Sequence, residues 1–209
     1  SLSSLKKVDA VHRFYEARKR NLLVGNPTMP RLFRYQNNGV TRYYSASGLA
    51  DANKTLRENN HELITATEVK LLPLDSAVSE SESIAEMIQA KLFLSDNATI
   101  ENIAPLLRNA DIVHFATHGL PDSEFNMAVD IASGALVLAP SRRFSNGLLE
   151  SDYIYKKLEL NASLVNLSAC STAIGFRPTK DAIMNGVGHA FLVAGAKSVL
   201  SSQCLCRKQ

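Results

Sequence analysis

Asp111-Ile112-Val113-His114-Phe115-Ala116-Thr117 runs straight into His118-Gly119, and Ser163-Leu164-Val165-Asn166-Leu167-Ser168-Ala169-Cys170 repeats the same plan further along the chain. Each is a short, nearly continuous apolar run rich in β-branched and aromatic residues. Neither is long enough for a helix, and each breaks off where the chain can turn sharply. That is the signature of strands buried on both faces of a parallel sheet. Working outward, further strands are expected at residues 21–25, closed by Gly25-Asn26-Pro27, and at 91–94, 135–139 and 197–200. Between them lie stretches of helical period. These are residues 5–19, a helix opening at Ser79 with Glu82 as a capping box, one beginning at Ala98-Thr99, and helices over 148–158 and 181–194. Alternating strands and helices predict an α/β fold with a mainly parallel central sheet. The polar stretch 31–70 has no clean period apart from a turn signal at Asn37-Asn38-Gly39. It is expected to be an insertion or a mobile loop within a single domain spanning 1–209.

Composition narrows the function. The chain has 209 residues, 45% apolar and 21% charged, enough to bury one core without disulfides or metal. A net charge of +3 is small, and the basic run Lys6, Lys7, Arg13, Arg18, Lys19 and Arg20 lacks interleaved aromatics. It reads as a solvated helix face, so no nucleic-acid partner is expected. No apolar run has the length of a spanning helix, and no membrane partner is expected. Three cysteines, Cys170, Cys204 and Cys206, make no disulfide framework, which fits a reducing, cytoplasmic setting. Without an initiating Met, and with an abrupt stop after Ser201-Ser202-Gln203-Cys204-Leu205-Cys206, the chain reads as a piece of something longer.

The chemistry is carried by His118 and Cys170. Reactive groups in parallel sheets gather beyond the carboxyl ends of the strands, and both residues follow an apolar strand there. A thiol becomes a competent nucleophile as a thiolate, which a neighbouring imidazole generates or stabilises. The backbone N–H groups of Gly119 and Cys170 are candidates for an oxyanion site. Taken one at a time, each residue also has a bland reading, as a small buried thiol and a hydrogen-bonded structural histidine.

Other site types fit less well. A phosphatase loop needs Arg six positions after the cysteine, where this chain has Phe176, with Arg177 a step late. His114 and His118 on one strand stand about 13 Å apart, too far to share a metal, and Cys204 with Cys206 offers two ligands, so no metal is expected. His114 reads as a buried strand residue. Gly186-Val187-Gly188 lies in a helical pattern with no following Lys, and Asn26-Pro27-Thr28-Met29-Pro30 lacks the N–H donors of a flavodoxin-like phosphate loop. No cofactor is expected.

The two signature stretches strongly resemble those of CHAT domains, which are caspase-like and commonly attached to tetratricopeptide repeats. Ser1-Leu2-Ser3-Ser4-Leu5, Leu23-Val24-Gly25-Asn26-Pro27, Leu148–Leu160 and Gly188–Val199 resemble further blocks of that family in order. The resemblance implies a caspase-hemoglobinase-like three-layer sandwich, truncated at both ends. It implies a cysteine endopeptidase, with His118 as general base and Cys170 as nucleophile, acting on protein or peptide substrates. An inactive caspase-like module for protein interaction is the alternative. The chain departs from the family at Ser171, where an acidic residue is common. It departs again at Gln203-Cys204-Leu205-Cys206, where an aromatic and paired acidic residues usually shape the substrate pocket.

Overall fold

The computed structural model describes residues 20–37, 40–121, 134–169 and 186–201. The helix expected over 5–19 lies outside these residues, as does Cys170. The central sheet is built from β1 (Leu22–Pro27), β5 (Lys91–Ser95), β6 (Ile112–Ala116), β10 (Leu164–Ser168) and β11 (Val199–Ser201). All four pairings are parallel, in the order β11-β10-β6-β1-β5. The first strand in sequence therefore lies inside the sheet. Between β1 and β6 the chain reverses its direction of travel across the sheet, the kind of switch point at whose carboxyl ends open α/β sheets place their sites.

Alternation along these strands sorts their side chains into two compartments. Leu22, Val24, Val113, Phe115, Val165 and Leu167 belong to the main core. That core is shared with Ile100, Ile103 and Leu107 of helix α3 (Ile100–Leu107), Ile154 of α4 (Ser151–Lys157), and Val187, Ala190 and Phe191 of α5 (Val187–Val193). Phe115 meets Phe191 with ring centroids 5.6 Å apart. Helix α2 (Asp75–Ile88) covers the other face with a stripe of small buried residues, Ala77, Ser81 and Ala85. Helices on both faces of a parallel sheet give the three-layer α/β architecture, consistent with a caspase-like fold.

Small residues let α2 lie close to β1. A Cβ at Gly25 would stand 2.2 Å from Ser81 Oγ and 3.0 Å from the backbone oxygen of Ala77. Gly25→Ala is therefore expected to cost about 1–3 kcal/mol through overpacking. Urea denaturation checks this: the midpoint falls with an unchanged slope, and an unmoved midpoint contradicts the close packing.

Residues 31–70, without clean period in the sequence, hold four regular elements. Strands β2 (Leu32–Asn37), β3 (Val40–Ser45) and β4 (Thr67–Val69) form an antiparallel sheet, and helix α1 (Ala46–Glu58) joins β3 to β4. This sheet packs on a second one, made of β7 (Gly119–Pro121), β8 (Gly134–Val137) and β9 (Leu148–Glu150). Leu32, Ala135, Val137 and Leu148 form the small core between them.

Three expectations need correction. The helix expected over 181–194 begins at Val187, because Gly186 has φ +121, outside the helical region, and residues 181–185 lie outside the described residues. The helix expected over 148–158 is a strand followed by a shorter helix. Leu148 and Leu149 pair with Val137 and Leu136, and the buried Ser151 donates its hydroxyl to Gly134 O at 2.9 Å where α4 begins. Short apolar runs serve either element, and here the open partner edge of β8 decided. The helix expected to open at Ser79 starts a turn earlier, at Asp75, and Ser79 Oγ donates within it to Ser76 O. The remaining boundaries of 21–25, 91–94, 111–117, 135–139, 163–170 and 197–200 agree with the observed strands to within a few residues.

Candidate functional site

Strands β6 and β10 are immediate neighbours, paired in parallel from Leu164 opposite Ile112 to Ser168 opposite Ala116. The two signature stretches thus lie side by side and end level with each other. His118 follows Ala116 by two positions, as Cys170 follows Ser168 in the sequence. Of the pair, His118 is described and Cys170 lies outside the described residues; the last residue before it, Ala169, is buried.

The backbone around His118 is pinned from one side. The buried Thr117 donates its hydroxyl to Val137 O at 2.5 Å, and Val137 N–H donates to His118 O at 2.9 Å. With residues 118 and 137 forming a hydrogen-bonded pair, antiparallel alternation makes Gly119–Leu136 the non-bonded pair. The N–H of Gly119 is consequently directed away from β8.

The half-buried imidazole of His118 is held by the main chain of another segment. Its Nε2 lies 2.7 Å from the carbonyl oxygen of Leu72, in the linker before α2. A carbonyl only accepts, so Nε2 carries the proton. In the neutral ring this leaves the lone pair on Nδ1. No motif points to this partner, because any residue at position 72 supplies the same oxygen.

Among the described residues, no group of three or more His, Cys, Asp or Glu side chains stands ready to hold a metal ion. No described helix is long and apolar enough to cross a membrane.

A family model for the CHAT domain matches residues 1–206. The chain belongs to the CHAT domain family. Its resemblance in the two signature stretches is thus matched over nearly its whole length. CHAT domains are a caspase-like family associated with tetratricopeptide-repeat proteins. No curated protein matches the chain significantly.

His114 of this CHAT domain is the buried strand residue that its sequence position implied, 2% exposed on the α2 face of β6. Asn166, its register partner on β10, lies with Nδ2 2.8 Å from His114 Nδ1. Glu80 of α2 brings a carboxylate oxygen to 3.2 Å from Nε2, without hydrogen-bond geometry. Burial pushes the His114 pKa down, and the Glu80 carboxylate partly opposes it. A histidine depressed in the folded state binds a proton more readily once unfolded. Its stabilising effect is therefore present above the unfolded value of about 6.5 and is lost as pH falls below it toward the folded value. Stability is expected to drop with a slope of at most about 1.4 kcal/mol per pH unit from this one proton. Denaturation series across that range check this, with His114→Gln flattening the dependence; an identical slope in the variant contradicts it.

Proposed function

We propose that this CHAT domain is a cysteine endopeptidase, cleaving protein substrates with Cys170 as nucleophile and His118 as general base. The observation that carries this reading is the level, parallel pairing of β6 with β10, together with the Leu72 carbonyl on His118 Nε2. A base oriented by a third group is one part of the arrangement that covalent catalysis requires.

The steps follow from the tautomer. Nδ1 of His118 takes the proton from Cys170, and the thiolate attacks the carbonyl carbon of the scissile peptide. The oxyanion is met by the N–H of Gly119, which points away from β8, and by that of Cys170. His118 then returns the proton to the leaving amine as the C–N bond breaks. Water attacks the resulting thioester, giving up its proton to the imidazole, and the acid product leaves with the thiol restored.

The family's association supports tetratricopeptide repeats as companions of this domain, and the thiol chemistry supports a reducing, cytoplasmic setting. The sheet-and-helix unit of 31–70, hydrogen-bonded within itself and apart from the parallel sheet, supports its being an insertion into the single domain.

Peptide mapping after brief treatment with an electrophilic thiol probe tests this reading. Cys170 is expected to be modified well before Cys204 and Cys206, and the selectivity is expected to vanish in His118→Ala. Equal labelling of all three cysteines in the native protein would instead assign a non-catalytic interaction module.

A further inference from the structure

The Leu72 carbonyl can set the His118 tautomer only if it is itself held in place, and the structure shows what holds it. Leu72 is 72% exposed and makes little packing contact of its own. Two residues on, Leu74 donates its N–H to Asn26 Oδ1 at 2.8 Å. Pro73 stands between them with a fixed φ, and a residue before proline is confined to extended conformations. A grip on Leu74 is therefore transmitted to the Leu72 carbonyl through a stiff two-residue link.

Asn26 is built for this grip at some cost to the backbone. It has φ +36, in the left-handed region that non-glycine residues rarely adopt. It is also the extra residue of a bulge, because Gly25 pairs with Leu94 of β5 and Pro27 with Ser95, leaving Asn26 without a partner across the ladder. Bulges of this kind re-aim a side chain. This one sits at the carboxyl end of β1, the strand paired with β6.

We propose that Asn26 is a positioning residue for His118. It clamps the 72–74 linker, so that the Leu72 carbonyl keeps the imidazole proton on Nε2 and the lone pair on Nδ1. Its catalytic consequence rests on the reading of His118 as base; the tautomer itself is observable without substrate.

Asn26→Gly is the informative variant, because it removes the acceptor while relieving the left-handed backbone. Asn26→Asp keeps an acceptor and tolerates the same φ. The His118 ring is read by long-range proton–nitrogen correlation in the labelled protein, at a pH where it is neutral. The native protein and Asn26→Asp are expected to show the Nε2–H form alone. Asn26→Gly is expected to lose that single form to a mixture, with a melting temperature equal to or above the native one. In a peptidase assay its kcat is expected to fall about 10- to 100-fold with a smaller change in KM. A pure Nε2–H tautomer in Asn26→Gly overturns the proposal. So does failure of that variant to fold, since the bond would then serve the fold and not the imidazole. A native protein without peptidase activity, but with the expected tautomer response, overturns the peptidase reading and leaves this one standing.

Discussion

Cys170→Ala is expected to abolish peptide-bond cleavage by the intact protein, lowering kcat/KM by at least about three orders of magnitude. His118→Ala is expected to do the same, for a different reason. In the proposed mechanism the first variant lacks the atom that would form the thioester, and the second lacks the group that would make it a thiolate and later protonate the leaving amine. A dyad acting as one unit, as proposed, predicts that the double variant is no worse than the more damaged single one. Additive losses would mean that the residues contribute separately. Full activity in both single variants would remove the dyad from consideration. The folded state is a necessary control, and urea midpoints of the variants should remain near the native value.

Phe115→Ala is expected to have the largest effect on stability, about 3–5 kcal/mol. Its side chain is fully buried in the main core and packs on Phe191. It sits three residues before His118 on the strand that carries the site, and the packed sheet leaves little room for collapse into the cavity. Urea denaturation measures the loss. Met87→Ala, at a side chain 80% exposed on α2, serves as the contrast and should stay within about 0.5 kcal/mol. A loss under about 1 kcal/mol at Phe115 would contradict the core described here.

Much of this arrangement could be read from residues alone, for identifiable reasons. Val113, Phe115, Val165 and Leu167 belong to unbroken apolar runs too short for helices, so their strands and the parallel sheet were legible. His118 stood out because polar residues directly after such strands have few structural reasons to be there. Cys170 stood out in the same way, directly after the second such strand, and the family motifs agree with pairing the two. What was hidden depends on contacts distant in sequence. Helix α2 begins at Asp75, where Leu74 meets Asn26 from 48 residues away, so the local capping pattern at Ser79 and Glu82 misled. The strand at Leu148–Glu150 exists because β8 offers it an edge. In 31–70, the turn signal at Asn37-Asn38-Gly39 was visible, and Asn37 pairs with Val40 across it. The flanking strands were missed because polar residues such as Arg34, Gln36 and Arg42 blur the alternation that only a second, small core makes meaningful.

Alkylation of Cys170 followed across pH, in the native protein and in His118→Gln, tests the proposed thiolate–imidazole pair most directly. The native rate is expected to show an inflection well below the ordinary thiol value of about 8.5, returning toward it in the variant. The same inflection near 8.5 in both proteins would contradict the pairing.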